Sequence, residues 1–153
     1  MWQRIQTVFL VLVILSLVGA LLLPIWGMEE GNTVKHLYAL NFMVDDGASK
    51  VHQYMPYAIT GILFVAAITV AIIEIGKYKN RLLQIKLGTL NSLLLVCGYA
   101  AAVYFASSQV KLENGGTYGF GLWLPAVAVF CNWLASRFIR RDEKIVRDSD
   151  RLR

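Results

Sequence analysis

The sequence predicts an all-α integral membrane protein, a four-transmembrane-helix up-down bundle with cytoplasmic N- and C-termini and a small external loop cap. Three observations carry this expectation. The 153 residues are 57% hydrophobic and only 16% charged, against about 45–50% apolar and about 25% charged in an ordinary soluble domain. Four stretches are apolar for long enough to cross about 30 Å of hydrocarbon at about 1.5 Å per residue. Lysine and arginine are concentrated in alternate connections between these stretches. The composition argues against disorder, a disulfide-stapled secreted domain and a soluble nucleic-acid binder.

The helices are placed at residues 5–26, 56–76, 87–108 and 120–138, within one domain, with residues 139–153 as a helical cytoplasmic tail. The first run follows Arg4 and is too long for the core of a typical signal peptide. Leu23 is followed by Pro24, Ile25 and Trp26, which offer no small-x-small cleavage site, so an uncleaved anchor is expected. Pro56 suits the first turn of the second helix, where its missing N–H is no loss. Orientation follows from the basic residues retained on the cytoplasmic side. Arg4, the four of residues 77–86 and the seven from Arg137 onward make twelve, against Lys35, Lys50 and Lys111 in the other loops. Trp2, Trp26, Tyr54, Tyr57, Tyr78, Tyr118 and Trp123 fall near the interfaces, where amphipathic rings are comfortable.

Lipid is as apolar as leucine, so close packing over small residues and interhelical hydrogen bonds must hold such helices together. Gly98, Ala102 and Ala106, at spacing four, form the expected packing seam of the third span. Further stripes are Ser16 and Ala20, Ala67 and Ala71, and Ala128, Asn132 and Ser136. Polar residues recur at one depth near the cytoplasmic side: Thr7, Glu74, Asn91 with Ser92, and Asn132. Asn91 is five residues from Lys86 and Asn132 five from Arg137, which places both about 7–8 Å inside the boundary. Glu74, Asn91 and Asn132 are expected to form an intramembrane polar layer that sets helix register. Glu74 also stands beside Lys77 and Tyr78, from where it can snorkel to the interface. The functional alternative is a half-channel or proton site opening to the cytoplasm, because ionisable residues inside membranes mark such paths.

The first external loop, residues 27–55, mixes β-branched and aromatic residues and then turns at Asp45, Asp46 and Gly47, which suits a short strand or hairpin. Val110 to Leu112 are a possible partner strand from the second loop. The first loop also holds both histidines, His36 and His52, with Glu29, Glu30, Asp45 and Asp46. Their spacing matches no metal motif, and they read as solvated loop residues. Cys97 and Cys131 are expected as buried, reduced thiols. No metal site and no cofactor are expected.

In the tail, Phe138, Ile145 and Leu152 recur every seven residues, with Ile139 and Val146 beside them. Span four is therefore expected to continue as a helix with a narrow apolar stripe. Glu143 and Arg147 add a favourable i,i+4 pair. Such a helix either lies on lipid headgroups or docks to a partner. The orderly alternation of signs favours docking, through Asp142, Glu143, Val146, Arg147, Asp150, Arg151 and Arg153. Nucleic acid is not an expected partner, since four acids among seven bases leave the tail at only +3.

No Gly-rich phosphate loop, no His-Glu-x-x-His and no serine with histidine and aspartate partners is present, and no span carries paired carboxylates. A non-enzymatic accessory or scaffold protein of the inner membrane is the expected function. Membrane lipid and a protein partner or a second copy are the expected contacts. The alternative is binding or transport of a lipid-like apolar ligand between the helices.

The opening Met1-Trp-Gln-Arg-Ile-Gln-Thr7, the stretch Gly121-Leu-Trp-Leu-Pro125 and the terminal Asp-Glu-x-x-Val-Arg-x-x-Asp-Arg-Leu-Arg pattern from Asp142 to Arg153 resemble a family of small four-span inner-membrane proteins from Bacteroidota. That family is known only as a domain of unknown function. The resemblance covers the whole chain and implies a bacterial inner-membrane location, with no activity to carry over. The topology is also similar to that of claudin-like four-span proteins, although the cysteine pair of their first loop is missing here.

Overall fold

A computed structural model describes residues 3–31, 33–47, 49–77 and 80–150 of the chain. The elements, in order, are α1 (Gln3–Leu22), β1 (Trp26–Glu30), β2 (Thr33–Leu37), β3 (Phe42–Asp45), β4 (Lys50–Gln53), α2 (Ala58–Gly76), α3 (Arg81–Glu113), β5 (Thr117–Tyr118) and α4 (Phe120–Asp150). All four helices are long and apolar enough to cross a membrane. Each packs on its chain neighbours and α1 also packs on α4, so the bundle closes into a ring. The strands cap one end, and both termini leave from the other.

Helix ends differ from the expected boundaries for local reasons. α1 stops at Leu22, short of residue 26, because Pro24 offers no N–H and disfavours helix in the residue before it. Ile25 already donates its N–H to the Leu37 carbonyl at 2.7 Å. α2 begins at Ala58, not at Pro56, which sits in the turn ahead; the Ala58 N–H reaches Tyr54 O at 2.8 Å. α3 extends past residues 87–108 at both ends. The Asn80 side chain caps its start by accepting from the Leu83 N–H at 3.2 Å, and its C-cap, Asn114, is left-handed at φ 52°. Val110 to Leu112 thus lie in helix, and β5 pairs with the first loop instead. α4 runs unbroken through residues 139–150 of the expected tail. The thiols also part company, since Cys131 is buried but Cys97 is exposed on the outside of the bundle.

The cap is larger than a hairpin. Five antiparallel strands lie in the order β4-β3-β2-β1-β5, with β5 pairing Tyr118 to Trp26 and Thr117 to Gly27. One face of this small sheet must be buried to be stable, and Trp26, Leu37 and Ala39, with Ile25 just ahead of β1, supply that face. A run of rings carries it into the bundle. Trp26 meets Phe42 at 6.4 Å, Phe42 meets Tyr57 at 5.7 Å and Tyr57 meets Phe105 of α3 at 5.3 Å. The Tyr57 hydroxyl accepts from Gln109 Nε2 at 2.8 Å, which satisfies its polar end. Gly61 donates its N–H to Ala39 O at 2.8 Å. The loop fits there because a Cβ at position 61 would stand 2.3 Å from Leu40 Cδ2. Lys35 of β2 is salt-bridged to Glu113, the last residue of α3.

Gly98, Ala102 and Ala106 are buried along α3. A Cβ at Gly98 would lie 2.8 Å from the Phe64 ring of α2, so the α2–α3 approach depends on glycine. Gly98→Leu should therefore lower the thermal midpoint in detergent, by the equivalent of about 1–3 kcal/mol. Gly76→Ala, where nothing stands within 4 Å of the added atom, should leave it unchanged or slightly higher.

The hydrogen bond to Glu113 holds the Lys35 amine above its ordinary value of 10.5. A raised lysine contributes stability that is complete below the unfolded value and is lost as pH rises through the folded one. The cap should accordingly stay attached through neutral pH and loosen only in strong alkali. A tryptophan-emission titration should show this alkaline step in the native chain and lose it in Lys35→Met.

Candidate functional site

Among the described residues, five of the seven buried polar side chains, Gln6, Glu74, Gln84, Asn91 and Asn132, lie at the end of the bundle that carries the termini, and Thr60 and Gln109 lie at the other. Glu74 lies in the last turn of α2, Asn91 in the third turn of α3, and Asn132 five residues before the apolar part of α4 gives way to Arg137. Glu74 and Asn91 are 0% exposed and Asn132 is 1% exposed. Their depth follows from sequence position along the helix axis, and their inward direction follows from the small residues one turn away. Ala71 precedes Glu74, Gly88 precedes Asn91, and Ala128 and Ala135 flank Asn132, so each polar side chain sits on a face that packs closely.

Asn132 joins α4 to α3. It accepts from Asn91 Nδ2 at 3.1 Å, and its own amide donates to Ser92 Oγ at 2.8 Å and to the Gly88 carbonyl at 3.3 Å. Ser92 Oγ donates to that same carbonyl at 2.9 Å. A glycine carbonyl that accepts across the helix boundary is accessible because no side chain shields it. Gly88 is also where α2 reaches α3. A Cβ there would stand 2.9 Å from Ser136 Oγ and 3.0 Å from Glu74 Oε1.

Glu74 therefore turns into the bundle and does not snorkel outward. Neither carboxyl oxygen has a hydrogen-bond partner among the described residues, and the same holds for Ser136 Oγ and Asn91 Oδ1. On α1 the inward residue is Gln6, 4% exposed, whereas Thr7 is exposed. The structure brings Glu74, Asn91 and Asn132 into one region of the core. Hydrogen bonds connect the two asparagines, while Glu74 meets the network only through the notch at Gly88.

A cavity of about 340 Å³ opens beside this cluster between α3 and α4, lined by Thr89, Ser92, Trp133, Ser136, Arg137 and Arg140. The Arg137 guanidinium lies 5.5 Å from the Trp133 ring centre. Gly88, Ser136, Trp133 and Arg140 were not legible as a site from composition. Their signal is spacing: 133, 137 and 140 share one face of a helix, as do 88 and 92.

The tail begins on the same side. Asp142 is paired with Arg81 at 3.4 Å, and Arg81 Nη1 also donates to the Asp142 carbonyl at 3.2 Å. Asp142 is thereby engaged within the chain and ties α4 to the start of α3. Phe138 stacks on Phe9 of α1 at 5.7 Å, and Ile139 is 2% exposed, so the apolar stripe of the tail begins as bundle core. Glu143 is half-buried. The side chains of Val146, Arg147 and Asp150, and residues Arg151 and Arg153 entirely, lie outside the described residues.

In the cap, Asn41 Nδ2 approaches His52 Nδ1 at 2.8 Å, and His36 sits in β2 opposite Gly27. Among the described residues, no three of histidine, cysteine, aspartate and glutamate are grouped to share a metal ion. Asp45 is paired with Lys50 at 3.0 Å, and that bond, with the Gly47 N–H, holds its carboxyl below the usual range.

Removing the junction should be costly. Asn132→Leu strands the Asn91 amide in the core and removes the two bonds that the Asn132 amide donates to Ser92 and Gly88, so the thermal midpoint in detergent should fall by the equivalent of about 1–3 kcal/mol. Asn91→Leu, which removes one bond, should cost less. Midpoints unchanged in both variants would show that the layer does not set helix register.

No curated protein and no solved structure was found to match the chain. One family, described as Domain of unknown function (DUF4293), matches residues 2–152; the chain belongs to that family.

Proposed function

We propose that this chain is a non-enzymatic accessory or scaffold protein of a bacterial inner membrane, with both termini in the cytoplasm, that docks to a membrane or cytosolic partner through its charged C-terminal helix. The observation that carries the reading is the continuity of α4. Its 31 residues span about 46 Å at about 1.5 Å per residue, well beyond the roughly 30 Å that hydrocarbon requires. The excess is a rigid, charged helix at the end of the bundle that also carries the N-terminus and the basic turn at residues 77–80. A stop signal needs positive charge alone; it needs neither helical continuity nor alternating acids. The Arg81–Asp142 pair ties α4 to the start of α3, so the helix from Glu143 to Asp150 leaves the bundle in a defined direction. The twelve basic residues at this end support a cytoplasmic placement.

A second reading, binding of a lipid-like apolar ligand, is favoured by one observation at the other end. A cavity of about 440 Å³ lies between the turn ahead of α2 and the last turns of α3, bordered by Pro56, Tyr57, Tyr104, Phe105 and Leu112 with the polar Ser108, Gln109 and Lys111. The aromatic and leucine side of this wall suits an acyl chain.

Purification from native membranes in mild detergent, followed by mass spectrometry, separates the two. The docking reading expects a stoichiometric protein that accompanies the full chain and is absent from a chain ending at Arg141. A partner retained after truncation overturns tail docking, and a protein that carries only a tightly held lipid supports the second reading.

A further inference from the structure

Three features meet at Gly88. The first is a glutamate within a helix apolar enough to cross a membrane, 0% exposed, with no hydrogen-bond partner on either oxygen among the described residues. The second is Ser136 Oγ, also buried and unpartnered. It and Glu74 Oε1 lie 2.9 and 3.0 Å from the point where a Cβ of residue 88 would stand. The third is the cavity of about 340 Å³, for which Ser136 is a wall residue. Ser136 therefore has the buried carboxyl on one side and a space bordered by two arginines on the other.

A carboxylate in apolar surroundings needs a counter-charge, donors or a proton. The other buried polar residues at this end are neutral, Gln6 on α1, Gln84 and Asn91 on α3 and Asn132 on α4, as is the half-buried Ser136. Arg137 and Arg140 face the cavity, Arg81 is engaged by Asp142, and Lys77 and Lys86 are exposed. No ion pair to Glu74 is present among the described residues.

We propose that Glu74 is a reversible proton-binding site, loaded and emptied from the end of the bundle that carries the termini, with the Ser136 hydroxyl as the relay between it and the cavity. In loading, a hydronium ion in the cavity gives a proton to Ser136 Oγ as the serine's own proton passes to a Glu74 oxygen across one bridging water. Serine is unchanged, water is released, and the carboxylate becomes a neutral acid. Unloading is the reverse. Gly88 is essential to the arrangement, since any side chain there would separate the two groups. The charged form places an unpaired anion on the α2–α3–α4 seam, so proton occupancy biases how tightly those helices pack. This inference is independent of tail docking.

The test is infrared difference spectroscopy of the full chain in liposomes, with the pH stepped from mildly acidic to alkaline. The expected result is one protonated-carboxyl C=O band that Glu74→Gln abolishes, that shifts in D2O and that disappears reversibly as pH rises. Ser136→Ala should slow deuterium exchange of this band by about tenfold or more. Dicyclohexylcarbodiimide supplies a check that needs no variant. The O–H of a protonated, buried carboxyl adds across its C=N bond, and rearrangement gives a stable N-acylurea with no leaving group. Peptide mapping should find this adduct on Glu74, with a yield that falls as pH rises. A band or adduct that ignores pH and D2O would make Glu74 a permanently neutral packing residue. Their absence at every pH would show it ionised and paired. Exchange unaltered in Ser136→Ala would overturn the relay.

Discussion

The bonds of Asn132 are the interaction on which the terminal half of the bundle depends. Where the surroundings are as apolar as the side chains, burial gives helices little reason to choose one neighbour or one register over another. A side-chain amide that must satisfy two donors and one acceptor supplies that choice. Asn132 does so against Asn91, Ser92 and the carbonyl of Gly88, all on α3. Small residues make the geometry possible. Gly88 exposes its carbonyl and leaves room for Glu74 and Ser136, while Ala128 and Ala135 let α4 approach. The same position thus serves as hydrogen-bond acceptor for one neighbour and as clearance for another.

The opposite end is held by different physics. The five-stranded sheet has little area of its own, and its stability comes from what lies beneath it. Trp26, Leu37 and Ala39 are buried against the helix ends, and the rings of Phe42, Tyr57 and Phe105 continue that apolar layer down between α2 and α3. Gly61 and Lys35 tie the sheet to α2 and α3 respectively. The cap therefore clamps the helices at one end as the asparagine layer does at the other. Between the clamps, packing rests on close contacts such as Gly98 against Phe64.

Parts of this arrangement were legible residue by residue, and parts were not. Counting from Lys86 and Arg137 placed Asn91 and Asn132 at one depth, because rise per residue is a local constant. Counting did not reveal that Gly88 lies between Glu74 and Ser136, since that requires the relative register of three helices. On α1, Thr7 and Gln6 are adjacent, and a helix apolar on all sides carries no pattern to say which of them turns inward. Glu74 beside Lys77 suggested a residue reaching for the interface, but the rotation of α2 points it at Gly88. Pro56 marked the neighbourhood of a helix start, whereas the first helix was expected to run through Pro24. The true ends were decided by hydrogen bonds to Leu37 and Tyr54.

What the sequence determined by itself is the number and apolarity of the four helices, the basic bias of the end that carries the termini, and the continuation of α4 as a charged helix. These are sums over consecutive residues, and backbone hydrogen bonding within each helix realises them without help from the rest of the chain. Only the tertiary structure decided the closed ring, the pairing of Thr117–Tyr118 with Trp26–Gly27 that gives the sheet its fifth strand, and the meeting of Glu74, Gly88 and Ser136. Each of these depends on contacts between segments far apart in the chain. Such contacts are selected by shape and by the need to satisfy buried polar groups, which no single segment encodes.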